Sequence, residues 1–401
     1  MTAPIEPRLP KESPIPASHL PPLVRPRLPA RMATAFVMAA TGFISKSWLS
    51  IWNTTEVIGL DRFLEVLDSR RDISGRERGL ITVSNHTSVI DDPLMWGALP
   101  ARYFFNPDNL RWSFASHDIC FTNRFLGAFF ASGQTMPMHR LAYSPLAGPF
   151  QPTMTQAIRL LCDGPFTSPT PPPERITSSM RPPFPAPIHR EIADPFSSPA
   201  SAYRYTTDDV DSFSAPSAYR NRRFSWVHFF PEGMIHQHPD RAMRYFKHGV
   251  GRLVLESEPL PQIIPIWIEG FDHCMHEGRS WPRFMPRAFK NLRIVFGEEI
   301  DGEQLFGDLR RKWQGLMTMQ REKIGTENLE VGVLNEALKY GDEAIKLRIE
   351  AARRMRLEVL KLRQRFGWPD EDPKATLAET WRREGPAREW PQNDGSWTRE
   401  A

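Results

Sequence analysis

LITVSNHTSVIDDPLMWGAL, residues 80–99, sets the frame for everything around it. Its first half is a short β-branched run that stops at Ser84 and Asn85, which is the pattern of a buried strand. A polar turn follows, and after Asp91 an apolar stretch has roughly helical spacing. Similar short runs recur at 112–116 (WSFAS), 135–138 (TMPM), 225–230 (SWVHFF), 262–268 (QIIPIWI) and 292–297 (LRIVFG). Helical patterns lie between them: RFLGAFFASG after Asn123, TMTQAIRLLC before Asp163 and HGVGRLVLES after Lys247. Alternating strands and helices predict an α/β domain, with a central mixed sheet flanked by helices and a ligand site at the strand ends.

The chain has 401 residues, but three segments have compositions that do not pack. Residues 1–30 hold nine prolines, 164–222 hold twelve, and 369–401 are polar with four more. We therefore expect a disordered leader (1–30), a disordered Pro/Ser-rich insertion (164–222) splitting the domain into 59–163 and 223–325, and a disordered tail (369–401). Roughly 280 residues remain, enough for one large core, so a wholly disordered or collagen-like chain is excluded. Cys120, Cys162 and Cys274 are odd in number and far apart, which excludes a disulfide framework and a cysteine zinc site. A net charge of +4 gives no case for a nucleic-acid partner, whereas an anionic lipid surface stays open. The charged stretch 326–368 predicts helices with a wide basic face, read as solvated, with acidic lipid as the alternative.

Between the leader and the domain, 31–58 reads as a membrane-associating helix. Its uncharged part, MATAFVMAATGFIS (32–45), would reach only about 21 Å, short of the roughly 30 Å hydrocarbon core. Trp48 and Trp52 near Lys46 suit headgroup level, so we expect monotopic entry into one leaflet. The leader is too rich in proline for a signal peptide, and Glu6 and Glu12 speak against a mitochondrial presequence. The greasy segment 125–130 reads as a core helix, with a second membrane contact as the alternative.

The chemistry centres on His86 and Asp91, with four residues between them across the turn. A carboxylate on one ring nitrogen of a histidine fixes its tautomer and stabilises the imidazolium, which makes the other nitrogen a general base. The chain has no Gly-x-Ser-x-Gly elbow, so the hydroxyl to be activated belongs to a substrate. In HFFPEGMIH (228–236), Gly233 permits close approach of an anionic group, and Glu232 can orient a polar acceptor. Arg140, after TMPM, can hold a phosphate by two parallel bonds. His228, His236, His238, His248, His273 and His276 are dense enough to raise a metallohydrolase, but their spacing lacks a His-Glu-x-x-His helix, so no metal is expected.

Taken in order, Asn85-His86 through Asp91, the block ending at Arg140, Phe230-Pro231-Glu232-Gly233 and IIPIWIEG around Pro265 resemble the four blocks of the glycerolipid acyltransferase family. The doubled Asp91-Asp92 and RYFKHGVGRL (244–253) are similar to its mitochondrial cardiolipin-remodelling branch. The resemblance covers residues 30 to about 320, the insertion apart. It implies that His86 is the base and Asp91 its partner. It also implies that Asn85, Arg140, Phe230, Pro231, Glu232, Gly233 and Lys247 bind the lipid phosphate or acceptor. Where many members carry an acid before the arginine, this chain has His139. The implied activity is acyl exchange from phospholipids such as phosphatidylcholine to monolysocardiolipin, without coenzyme A or another cofactor. Backbone donors near Gly233 would stabilise the oxyanion. A coenzyme A-dependent lysophospholipid acyltransferase is the enzymatic alternative, and a lipid-binding scaffold the non-catalytic one. The implied partners are membrane phospholipids, cardiolipin and monolysocardiolipin, with a homo-oligomer or mitochondrial membrane complex left open. The implied place is the mitochondrial outer and inner membranes, facing the intermembrane space.

Overall fold

The computed structural model describes residues 24–166, 203–208, 210–324, 330–382, 390–391 and 395–399. In chain order the elements are α1 (Leu28–Ile51), β1 (Thr54–Ile58), α2 (Leu60–Ser69), β2 (Leu80–Ser84), α3 (Asp91–Leu94), β3 (Ser113–Ser116), α4 (His117–Cys120), α5 (Arg124–Ser132), β4 (Thr135–Met138) and α6 (Pro152–Leu161). After the insertion come β5 (Arg204–Tyr205), β6 (Phe213–Ser214), β7 (Trp226–Phe229), β8 (Ile235–Gln237), α7 (Gly249–Glu256), β9 (Gln262–Glu269), α8 (Phe271–Cys274) and β10 (Asn291–Phe296). The chain closes with α9 (Gly302–Ile324), α10 (Glu336–Tyr340), α11 (Asp342–Gln364), α12 (Ala378–Arg382), β11 (Trp390–Pro391) and β12 (Trp397–Arg399).

The central sheet is mixed, in the order β1-β10-β9-β2-β7. Strand β2 runs parallel to both β7 and β9, while β10 is antiparallel to β9. A parallel bridge from Trp112 to Val227 carries the order on to the parallel pair β3-β4. The C-terminal ends of β2, β7, β3 and β4 therefore share one edge, which is where an α/β sheet offers its crevice. All five residues of β2 are buried, because the sheet is covered on both faces. Ile81, Val83, Val227 and Ile263 pack on the side of α6, α7, α9 and α11. Leu80, Trp226, Ile264 and Phe296 pack with Phe63 and Leu67 of α2 and with Met38 and Leu49 of α1.

All six predicted strands form. The apolar stretch after Asp91 instead breaks into the short α3 and a 3-10 turn at Met95–Ala98. Three compositional expectations are corrected. Residues 203–222 do not belong to a disordered insertion: Tyr205, Ala215 and Ala218 are buried, Ser217 Oγ donates to Gln156 (2.8 Å), and Asn221 donates to Asp108 (2.9 Å). Eleven of the twelve prolines lie at 165–199, so an average over 59 residues hid an aromatic segment that packs. Residues 1–23 and 167–202 lie outside the described residues. The tail is corrected likewise, since Trp381 is buried and β12 pairs antiparallel with β8; residues 383–389, 392–394, 400 and 401 lie outside the described set.

Helix α11 is no solvated basic face either. Arg348, Arg356 and Arg363 are buried on the side facing the core. Arg356 donates to the carbonyls of Arg244 (2.8 Å) and Met243 (2.6 Å), and Arg363 to those of Arg241 (2.9 Å) and Asp240 (2.7 Å). A guanidinium has five donors on a planar fork, so it can satisfy backbone carbonyls that no strand pairs. Glu371 closes the arrangement, accepting from Met243 N at 2.6 Å and from Arg356.

Helix α1 has 24 residues, about 36 Å at 1.5 Å each, and includes Lys46, so the length argument against a span does not hold. Its buried residues Met38, Gly42, Ser45 and Leu49 recur at helical spacing, while Leu28, Met32, Phe36, Ile44 and Ile51 are exposed. Gly42 is required: a Cβ there would stand 2.5 Å from the Phe104 ring. Lys46 donates to Leu99 O (3.2 Å) instead of reaching toward headgroups. Helix α5, expected in the core, has no buried residue, with Phe125 74% and Phe129 50% exposed. Periodicity reports an apolar environment without telling protein interior from any other.

Candidate functional site

The turn between β2 and α3 is organised around one carboxylate. Asp91 Oδ2 accepts from Thr87 N (2.6 Å) and Ser88 N (2.8 Å), and Oδ1 from Thr87 Oγ1 (3.2 Å). The same Oδ2 lies 2.9 Å from His86 Nδ1. Asp91 is fully buried, and burial raises its pKa against the pull of His86 and the two N–H donors. With a carboxylate on Nδ1 that nitrogen carries the proton, leaving the Nε2 lone pair free. No hydrogen bond engages Nε2 among the described residues. The ring is 12% exposed at the shared strand edge and stacks on Phe230 at 4.4 Å.

The backbone of His86 is fixed as firmly as its ring. His86 N donates to Glu232 Oε1 (2.8 Å), and His86 O accepts from His236 N (2.9 Å). Glu232 Oε2 accepts from Arg244 N at 2.9 Å. Glu232 is buried between these two backbone donors, so it clamps two loops and does not orient an acceptor as expected. The arginines of α11 hold the segment 240–244, that segment holds Glu232, and Glu232 holds His86. Burial pushes the Glu232 carboxyl up to about 7, with the two backbone hydrogen bonds pulling the other way. The folded state therefore binds the extra proton between about pH 4.5 and 7, and the contribution of Glu232 to stability falls as pH rises through that window. Glu232→Gln is expected to flatten this part of the stability–pH curve. It also turns an amide N–H2 toward a backbone donor, at a cost of about 1–3 kcal/mol. Urea unfolding of both proteins at pH 5 and pH 8 measures the two effects.

Asn85 is corrected as well. Its Nδ2 donates to Ile268 O and its Oδ1 accepts from Ile268 N, both at 2.9 Å, so its buried side chain is oriented by β9 and locks β2 to that strand. Gly233 N donates to Phe230 O (3.1 Å) and closes the Phe230–Gly233 turn, which removes it as an oxyanion donor. Gly233 has φ +63°, and a Cβ there would lie 2.6 Å from Lys247 Cδ. Lys247 lies across this turn, with Nζ donating to Gly233 O (3.2 Å) and its backbone N to Pro231 O (2.7 Å). Its ammonium therefore lies against the backbone of the Phe230–Gly233 turn.

Arg140 lies two residues beyond the end of β4 on the same edge, but its fork is already engaged. Nε donates to Asp118 Oδ1 (3.0 Å), Nη2 pairs with Asp118 Oδ2, and the guanidinium stacks over Tyr143 at 4.2 Å; Nη1 has no hydrogen-bond partner among the described residues. The two parallel bonds expected for a phosphate are made to a carboxylate. Beside it lies a cluster that the sequence did not disclose: His117 Nε2 is 3.2 Å from Asp211, and His139 Nε2 is 2.9 Å from Thr207. The donor atoms of His117, His139 and Asp211 lie within 4.8 Å of one another, which marks the one metal-capable group among the described residues. The two rings stack at 4.4 Å and 22°, so their lone pairs run side by side and do not converge on one ion. Of the dense histidines, His228 is buried on Thr82 (2.9 Å) and held neutral, its pKa lowered to about 3 by burial.

A base oriented by a buried carboxylate, open at the strand edge beside a cationic turn, is machinery for activating a hydroxyl. Residues 61–165 match the family described as Acyltransferase. The chain is 32% identical to "Tafazzin" of Saccharomyces cerevisiae over 80% of its own length and 76% of that protein's. It is 27% identical to "Tafazzin" of Drosophila melanogaster, over 70% of this chain and 55% of that one. It is also 27% identical to "N-acylphosphatidylethanolamine synthase" of Arabidopsis thaliana, over 66% and 69% respectively. The chain belongs to the tafazzin family of acyltransferases.

Proposed function

We propose that the protein is a transacylase that moves acyl chains from phospholipids such as phosphatidylcholine to monolysocardiolipin, without coenzyme A, at mitochondrial membranes. The observation that carries it is the His86–Asp91 pair, with Nε2 open at an edge that offers no serine elbow. His86 Nε2 takes the proton of the lysolipid hydroxyl while Asp91 stabilises the imidazolium. The alkoxide attacks the ester carbonyl of the donor phospholipid, and the tetrahedral adduct expels the donor's glycerol oxygen. That oxygen takes the proton back from His86, so the base is regenerated and one ester replaces another. Lys247, above the Phe230–Gly233 turn, is the cation placed to meet a lipid phosphate.

Membrane association is supported by the exposed apolar side of α1 together with Phe105 (66% exposed) and the uncovered α5. A double variant Phe125→Ser/Phe129→Ser is expected to lower vesicle binding about tenfold or more, since each buried aromatic side chain is worth roughly 1.5–3 kcal/mol. Co-sedimentation with phosphatidylcholine vesicles measures it. The function itself is tested by transfer of a labelled acyl chain from phosphatidylcholine to monolysocardiolipin in vesicles, with and without acyl-coenzyme A. Transfer without the thioester is the expected result, and transfer only with it would replace this proposal by the coenzyme A-dependent one.

A further inference from the structure

We propose that the loop 279–290 is a docking surface for anionic phospholipid, a second lipid contact that continues from the end of α1. The loop reads RSWPRFMPRAFK. Trp281, Phe289 and Phe284 are 85%, 82% and 76% exposed, the three most exposed aromatic rings among the described residues, and Met285 lies open beside them. Four cations alternate with these apolar side chains, and no acid occurs from 278 to 297. Arg287 and Lys290 have no carboxylate partner among the described residues. Aromatic rings flanked by Arg and Lys match the two layers of a bilayer surface, with rings at the headgroup boundary and cations against phosphates.

The loop is held in this pose. Arg287 N donates to Cys274 O (2.8 Å), Arg287 Nη2 to Ser280 O (2.7 Å), and Arg279 Nη1 to His276 O (2.8 Å). Pro282 and Pro286 restrict the backbone between these ties. Side-chain ties that draw the backbone inward leave the rings outward, so the hydrophobic tips are presented before any partner arrives. The loop is also stitched to the end of α1. Phe289 N donates to Trp52 O (2.7 Å), Lys290 N to Asn53 Oδ1 (2.9 Å), and the Phe289 ring packs 6.3 Å from Trp52. Ile51 and Trp52 are themselves exposed, so the apolar strip of α1 runs into the loop without a break. That continuity, together with the one-signed charge, selects an anionic bilayer as the occupant.

This inference rests on the membrane association proposed above. Its test is flotation of the full-length protein with vesicles of phosphatidylcholine alone and of phosphatidylcholine mixed with phosphatidylglycerol. Wild type is expected to bind the anionic vesicles about tenfold more tightly. Arg287→Gln/Lys290→Gln is expected to lose that preference while keeping its binding to neutral vesicles, because each cation near the surface contributes about 1 kcal/mol. Trp281→Ser/Phe284→Ser/Phe289→Ser is expected to weaken binding to both, with acyl transfer in detergent micelles unchanged. Equal binding of wild type to the two vesicles, or variants that behave as wild type, would overturn the loop and leave the α1 anchor standing. Failure of wild type to bind either vesicle would remove the anchor and the loop together. A lipid-free dimer that the triple variant dissociates would assign the surface to a second copy and overturn the lipid inference.

Discussion

His86→Ala is expected to lower acyl transfer by about 10²–10⁴-fold, the range that general base catalysis contributes, while the protein stays folded. The loss follows from geometry, since His86 alone presents a free ring nitrogen supported by the fully buried Asp91. Folding survives because the other ties of the turn are backbone ties. Glu232 still receives the N–H of residue 86, His236 N still meets its carbonyl, and Asp91 keeps its bonds to Thr87 and Ser88. Asp91→Asn separates charge from position. An amide oxygen in the place of Oδ2 preserves those two backbone bonds and the contact to the ring, and the amide nitrogen faces Thr87 Oγ1, which can accept. The variant loses the negative charge that stabilises the imidazolium, so activity falls while the thermal midpoint changes little. The measurement is single-turnover transfer alongside thermal unfolding. A His86→Ala protein with a tenth of wild-type activity or more would remove the residue from its role.

The strands were legible because each is a short β-branched run bounded by polar residues, and burial on both sheet faces makes that pattern obligatory. Strand β1, TTEVI, escaped because it lies at the sheet edge and is half exposed, with no apolar run to show. Helix α5 was misassigned for a physical reason: leucine and phenylalanine at helical spacing meet a protein core and a lipid surface equally well. The site was legible as residue types at a spacing but not as directions. Nothing in the letters says that Asn85 turns toward Ile268, that Glu232 faces two backbone N–H groups, or that Arg140 has Asp118 at hand. His117 and Asp211 meet from opposite sides of the insertion, a contact that no local pattern encodes. Arginine misleads most, because three buried guanidinium groups of α11 read in sequence as a solvated face. Arg356 and Arg363 bond carbonyls more than a hundred residues away, and Arg348 those of Leu338 and Lys339 in the preceding helix.

The doubled aspartate predicts opposite phenotypes at neighbouring positions. Asp91 serves the base, whereas Asp92 is the centre of a buried ion pair. Arg111 Nε donates to Asp92 Oδ1 (2.7 Å) and Nη2 to Oδ2 (2.8 Å), with Trp96 Nε1 (2.5 Å) and Ser113 Oγ (2.8 Å) completing its shell. Burial opposes the charge on Asp92, but the Arg111 guanidinium and the hydrogen bonds from Arg111 and Ser113 hold the carboxyl below its ordinary range. Stability from this group is therefore fully present above about pH 4 and is lost as pH falls through the lower folded value. Asp92→Ala leaves the Arg111 charge buried without a counter-ion and is expected to cost about 3–5 kcal/mol. Glu298→Ala, which opens the exposed pair with Arg62, is expected to cost less than about 1 kcal/mol. Because the first loss comes from the stranded charge, Asp92→Ala/Arg111→Met should be more stable than Asp92→Ala alone, a non-additivity that contacting residues show and distant ones do not. Urea midpoints of the four proteins decide it. A double variant no more stable than the single one would mean that Arg111 finds water or another partner when Asp92 is gone, and the pair would then be packing without electrostatic consequence.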